Sequence, residues 1–172
     1  FKGRNLPRPT GARPISGRLR TSLFGHLGDR VSGARVLDVC AGVGALGLEA
    51  LSRGATHATF VELDPAQARA IGAFLDQVGA ADEGTVLRRD ATRSLPAGPF
   101  DLVFVDPPFD FWSSDEGSRL VQAGARALVE GGTLVVKVPK HLDLAPPAGL
   151  QRVKRGEAAA VAYLVFRTPL SA

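Results

Sequence analysis

Two short segments of the chain hold residue types that could do chemistry. The first is Asp38-Val-Cys-Ala-Gly42-Val-Gly44-Ala-Leu-Gly47. Its glycines let the backbone reach positive φ and approach a ligand closely. A carboxylate stands four residues ahead of the first glycine, and Glu62 follows at the end of the next apolar run. The second segment is Asp106-Pro-Pro-Phe109. Consecutive prolines fix the backbone and remove its N–H donors. The Asp106 carboxylate and the Pro107 carbonyl are left as a rigid pair of acceptors. Such a pair suits the exocyclic amine of a nucleobase. Holding its two N–H groups favours tetrahedral geometry and points the nitrogen lone pair at an incoming carbon. Pro108 completes the rigid turn, and Phe109 offers a face on which an extruded base can stack.

A glycine turn that opens a helix is also the phosphate site of dinucleotide folds. Here Asp38 beside the turn would repel a pyrophosphate. A cationic ligand with an amino-acid end and a ribose fits better, which points to S-adenosylmethionine over NAD. Glu62 can accept ribose hydroxyls. Asp90, after the third strand, can accept an adenine amine. Cys40 reads as a small buried hydrophobe without an activating partner. Phe111 and Trp112 either stack on RNA or pack on the following helix. The three histidines show no metal spacing. Lys137 and Lys140 lie at the end of the fifth strand near the crevice mouth, and read as solvated lysines in preference to phosphate contacts.

Strands and helices must alternate to position these groups. Leu19, Leu23, Phe24 and Leu27 make one helical face from Gly17 onward. Strands are predicted over 35–39, 57–63, 85–89, 100–105 and 133–138. Helices are predicted over 44–53, from Pro65 to Val78 behind an Asp64 cap, and behind a capping box at Ser113-Ser-Asp-Glu116. That last helix buries Leu120, Val121, Gly124, Ala127 and Leu128 and ends at Gly131-Gly132. Residues 150–154 and 160–167 read as an antiparallel hairpin turning around Gly156, and residues 1–6 as an edge strand. The order predicts an α/β fold, a mostly parallel mixed sheet with helices on both faces.

The 172 residues fit one domain, with 45% apolar and 22% charged residues. This excludes disordered, collagenous and coiled-coil classes. No apolar run reaches the roughly 20 residues of a membrane helix, and no signal peptide is visible. One cysteine allows no internal disulfide, so a cytoplasmic setting is expected. Charge is uneven. Residues 1–35 hold eight Lys/Arg against Asp29 alone, a formal +7, while the remainder carries 13 against 16, or −3. A basic arm and helix over 1–30 on a body over 31–172 suggest a polyanionic partner such as nucleic acid.

With these residues in place, the chain resembles the bacterial small-subunit rRNA guanine-N2 methyltransferases of the RsmD type. The likeness rests on Lys2-Gly-Arg4, Arg13-Pro14, Arg18-Leu-Arg20 and Leu23-Phe24. It continues through Ala41-Gly-Val-Gly-Ala-Leu-Gly-Leu-Glu-Ala-Leu-Ser-Arg-Gly54, Val61-Glu62 and Asp106-Pro-Pro-Phe109. Gly17 and Thr21 stand where the family usually has acids.

The resemblance implies a Rossmann-like class I methyltransferase with a seven-stranded mixed sheet. It also implies methyl transfer to a guanine amine of 16S rRNA in the 30S subunit or an assembly intermediate. It places S-adenosylmethionine among Asp38, Gly42, Gly44 and Glu62, with Ala41, Leu63, Asp90 and Ala91 completing the expected set. Asp106, Pro107, Pro108 and Phe109 would hold the base. Arg4, Arg13, Arg18 and Arg20, with Phe111 and Trp112, would contact RNA. No metal is expected, and a monomer is. Adenine-N6 methylation and small-molecule N-methylation are the alternatives. The chain leaves little room for a DNA target-recognition region, and the basic arm has no use on a small substrate.

Overall fold

A computed structural model describes residues 16–171. The expected strand over 1–6 and the arginines Arg4 and Arg13 lie outside the described residues. Helix α1, Gly17–Leu27, starts at Ser16, whose hydroxyl accepts the Leu19 N–H at 3.2 Å. It buries the expected stripe of Leu19, Leu23, Phe24 and Leu27. Strand β1, Arg35–Val39, leads to α2, Ala45–Ser52. Strand β2, His57–Val61, leads to α3, Pro65–Gln77, where the Asp64 carboxylate accepts the Gln67 N–H at 2.8 Å. Strands β3, Gly84–Leu87, and β4, Phe100–Val105, follow without a helix between them. Helix α4, Glu116–Arg126, and strands β5, Leu128–Pro139, β6, Gln151–Ala158, and β7, Val161–Arg167, complete the chain.

The seven strands form one sheet in the order β3-β2-β1-β4-β5-β7-β6. Strands β1 to β5 pair in parallel, and β7 pairs antiparallel with both β5 and β6. One face packs α1, α2 and α3 against Phe60, Phe104 and Tyr163. The other packs α4 against Val103, Leu134 and Phe166. The chain reverses its direction of travel across the sheet between β1 and β4, and ligands of open α/β sheets bind outside the strand ends at that point. Among the described residues no helix is long and apolar enough to cross a membrane.

Three local expectations are corrected. Leu128 belongs to β5, not to the helix before it, and Gly131-Gly132 lie within that strand. Gly131 at φ 74° lets β5 bulge between its pairings of Leu128 with Phe100 and Thr133 with Leu102. The capping box does not form. Residues Phe109–Ser113 wind into a 3-10 turn, and the Ser114 hydroxyl accepts the Glu116 N–H at 3.3 Å. Gly156 is not a turn residue either. It sits inside β6 opposite Tyr163, and the chain reverses after Ala158, at Ala159 with φ 48°.

The reason for Gly156 is space. A Cβ there would lie 2.2 Å from Cζ of the Tyr163 ring. Gly156→Ala is therefore expected to cost about 1–3 kcal/mol through overpacking. Gly25→Ala, on α1 with nothing within 4 Å, is expected to gain up to about 1 kcal/mol from helix propensity. Urea unfolding of both variants checks the pair. Equal midpoints would refute the close approach of Tyr163 to β6.

Candidate active site

The glycine loop leaves β1 in a conformation few side chains tolerate. Cys40 has φ 57°, Gly42 60° and Gly44 79°. The Gly44 N–H closes a turn on the Ala41 carbonyl at 2.8 Å. Gly44 is then the N-cap of α2 and has no side chain to satisfy the helix's first N–H groups. Asp38 supplies that cap from the neighbouring strand, accepting the Gly47 N–H at 2.9 Å. Glu62, just past β2, clamps the loop from the other side. Its Oε2 accepts the Gly42 N–H at 2.6 Å, and its Oε1 accepts the Asp64 N–H at 2.8 Å.

Asp106 follows β4, and its N–H reaches the Val39 carbonyl at 3.2 Å, which draws the tetrapeptide against the glycine loop. The pairing of Val105 with Val136 carries on to set Asp106 beside Lys137. There Lys137 Nζ lies 2.5 Å from Asp106 Oδ1, both side chains largely buried. The expectation of a solvated Lys137 is thus corrected. The lysine interrupts the apolar run 134–138, a visible signal, but only the strand register shows its partner. Lys140 is exposed and stands 3.7 Å from Glu157.

Asp38, Glu62, Asp106 and Lys137 line one cavity of about 900 Å³ together with Gly42 and Phe109. The electrostatics follow from this crowding. Burial pushes the Asp38 carboxyl well above its usual value, and Asp106 and Glu62 push it the same way against the Gly47 N–H. Burial also raises Asp106, with the Lys137 ammonium opposing. The Cys40 thiol is pushed up to about 12 by burial and then by the surrounding carboxylates. That matches its reading as an inert residue.

The remaining expected residues are distributed around this centre. Ala41, Leu63, Asp90, Ala91, Pro107, Pro108 and Phe111 all line the same cavity. Leu63 is exposed at the rim, 60%, and Phe109 is 36% exposed. Asp90 Oδ1 accepts the N–H and the hydroxyl of Thr92 at 2.9 and 2.7 Å, which hold its carboxyl below the usual range. Gly44 does not line the cavity but opens the helix behind it. Trp112 is half-buried in the second core, packed where Gly117 leaves room for its ring. Arg18 is exposed on the first turn of α1, while Arg20 lies 3.7 Å from Glu49 of α2.

The lining residues outside the expected set include Lys137, Arg89 and Gln67, the last with a buried Oε1 that has no donor. A glutamine on a helix's first turn gives no sequence signal of this kind. Among the described residues no group of His, Cys, Asp and Glu could hold a metal ion.

A profile of the family described as "Conserved hypothetical protein 95" matches residues 1–167. The chain is 41% identical over 112 residues to "Ribosomal RNA small subunit methyltransferase D" of Escherichia coli K12, a match covering 63% of this chain and 57% of that protein. It thus spans somewhat over half the length of that relative. The Haemophilus influenzae protein of the same name is 29% identical over 174 residues, covering 97% of this chain and 90% of its own length. The solved structure of the Escherichia coli protein yhhF superposes with a TM-score of 0.83 at 33% identity, covering 98% of this chain and 94% of that one.

The raised Cys40 thiol sets an expected reactivity. A shift from 9.0 to about 12 leaves about a thousandfold less thiolate near neutral pH than a free cysteine has. Iodoacetamide labelling at pH 8 is expected to be slow in the native protein and fast in urea. Native labelling as fast as in urea would refute the half-buried, carboxylate-lined setting.

Proposed function

The chain belongs to the RsmD-type family, and from that premise we propose that it transfers a methyl group from S-adenosylmethionine to the N2 amine of a guanine in 16S rRNA, in the 30S subunit or an assembly intermediate. The observation that carries this reading is the Asp106 carboxylate, paired with Lys137 and facing the same cavity as the glycine loop. The names of the Escherichia coli and Haemophilus influenzae relatives support the rRNA substrate.

The cavity suits the cofactor on three counts. Its volume of about 900 Å³ lies in the range of small-molecule sites. Five carboxylates, Asp38, Glu62, Asp64, Asp90 and Asp106, line it with Lys137 and Arg89 as the cations, so an ammonium and a sulfonium are welcome and a pyrophosphate is not. Gln67 Oε1 is a buried acceptor in want of a donor. Asp38 and Gln67 would hold the amino-acid end, and Glu62 the ribose through the second lone pairs of its oxygens. Asp90 would take the adenine amine. S-adenosylmethionine supplies a methyl carbon activated by a sulfonium leaving group.

The chain's own residues do the rest. Lys137 occupies Asp106 Oδ1, which leaves Oδ2 to accept one N–H of the guanine amine. The Pro107 carbonyl takes the other. Both acceptors stabilise positive charge as it develops on that nitrogen. Phe109 at the rim stacks on the base. A strong base is not required, because the alkylated nitrogen is acidic and gives up a proton to Asp106 Oδ2 or to water.

Label transfer from methyl-tritiated cofactor tests the reading, with undermethylated 30S subunits, naked 16S rRNA and duplex DNA as acceptors. The expected product is N2-methylguanosine from 30S or rRNA. Label in N6-methyladenine alone would move the reading to its adenine alternative, and no label in any polymer would overturn it.

Asp106→Ala is expected to lower turnover by at least about 100- to 1,000-fold while cofactor affinity stays within a few fold. Near-normal turnover would sink the assigned role.

The pair also predicts a pH effect. Only the carboxylate form of Asp106 accepts, so activity is lost as pH falls through its raised pKa. Lys137→Met removes the cation that opposes burial, so the acidic limb of kcat should move to higher pH. Lys137→Arg should hold the limb near its original place. An unmoved limb in Lys137→Met would show that the lysine does not tune Asp106.

A further inference from the structure

A cluster of basic residues lies at the opposite end of the sheet from the cavity. His26 occupies the last turn of α1, and Arg30 the 3-10 turn that follows it. Lys154 stands in β6, which packs against α1, and Arg167 closes β7 opposite Thr133 of β5. Thr133 is four residues from Lys137 along β5, about 13 Å at the strand rise. Burial, and then the charges of Lys154, Arg167 and Arg30, depress the His26 ring. Burial and Arg30 likewise depress Arg167.

No carboxylate is among the charges acting on either group. None of the four residues makes an ion pair among the described residues. The contrast with their neighbours is sharp: Arg152 and Arg155, also on β6, both pair with Asp143. Two buried nitrogens, His26 Nε2 and Arg167 Nε, have no hydrogen-bond partner. The depressed ring leaves His26 as an uncharged polar group beside the three cations Arg30, Lys154 and Arg167.

We propose that His26, Arg30, Lys154 and Arg167 form a phosphate-binding site that grips the RNA backbone at a distance from the methylated base. The inference rests on the RNA reading given above and extends it to a second contact surface. Arg30, Lys154 and Arg167 have no carboxylate beside them, so an anion completes them, and the arginine fork matches phosphate geometry. Helix α1 touches β7, the strand beside Lys137. Ser22 meets the Tyr163 hydroxyl at 3.2 Å, and Tyr163 pairs in register with Lys137. Arg167 stands opposite Thr133, about 13 Å along β5 from Lys137 at the strand rise. That exceeds the reach of one flipped nucleotide, so the site engages RNA that flanks the target. Phosphate contacts of this kind set register and orientation without reading sequence.

The test compares wild type, Arg30→Gln, and the triple variant Arg30→Gln/Lys154→Gln/Arg167→Gln. Binding to 16S rRNA is measured over a potassium chloride series, with cofactor affinity and thermal midpoint as folding controls. Each phosphate contact contributes about 0.7–0.9 to the slope of log affinity against log salt. The triple variant is expected to lose about 2 from that slope and at least tenfold in affinity, with kcat at saturating RNA unchanged. Arg30→Gln, at an exposed position, is expected to lose about 0.7–0.9 and reports on the site should the triple variant fold poorly. Wild-type slope and affinity in both variants would overturn the site while leaving the methyltransferase reading intact. No salt-dependent RNA binding by wild type would overturn both. Binding of inorganic phosphate alone, with the RNA slope unchanged in the variants, would assign the cluster to a small anion and overturn its RNA role.

Discussion

The contact between Asp106 and Lys137 is the constraint on which the site depends. A carboxylate removed from water loses several kcal/mol of hydration unless a counter-charge replaces it. Here the counter-charge comes from the adjacent strand, because Val105 pairs with Val136 and the next residues fall side by side. A one-residue slip of β5 against β4 would send Lys137 to the other face. Asp106 would then be buried without a partner. The register of two central strands and the charge state of Asp106 are therefore one property. The β5 bulge at Gly131 belongs to the same arrangement, since it resets the pairing between Leu128 and Thr133.

The glycine loop shows how a common α/β feature is given a particular preference. A helix N-terminus ordinarily presents its free N–H groups and positive dipole end to an anionic ligand. In this chain Asp38 takes one of those donors, at Gly47, and Glu62 takes the Gly42 N–H. The protein's own carboxylates thus occupy the place a pyrophosphate would need. In the proposed function, exclusion of the wrong ligand and attraction of a cationic one would come from the same two side chains. The glycines make this possible by sterics. A Cβ at Gly47 would lie 2.4 Å from the Phe60 ring, and one at Gly44 would lie 3.1 Å from both Phe60 and Ile71.

The parts of the fold legible in the sequence are those set by local pattern. The α1 stripe, the Asp64 cap and the strand–glycine–helix junction each depend on residues a few positions apart, and the structure has all three. What escaped depends on contacts between distant residues. Gly156 carries turn chemistry by type, yet its role is to admit Tyr163 from the next strand. Leu128 suits a helix or a strand equally, and pairing with Phe100 decides. Lys137 looks solvated until the register supplies Asp106. The site follows the same division. Its motif residues were readable as motifs, but their charge states were not, because burial and mutual repulsion are properties of the assembled cavity.

The same distinction governs the charge of the N-terminal region. Its formal +7 suggests a uniformly basic surface, but net charge counts residues and not the field they produce. Arg20 lies against Glu49, and Arg35 stands 3.4 Å from Asp101. Those cations fasten α1 to α2 and the start of β1 to β4. Arg53 joins the first pair, at 2.7 Å from Glu49 and stacked over Phe24. Arg18 and Arg30 have no such carboxylate among the described residues. Basic residues of one segment thus divide into those that hold the fold together and those left to act on something outside it. The division is set by acids that lie 29 and 66 positions away in the chain, at Glu49 and Asp101.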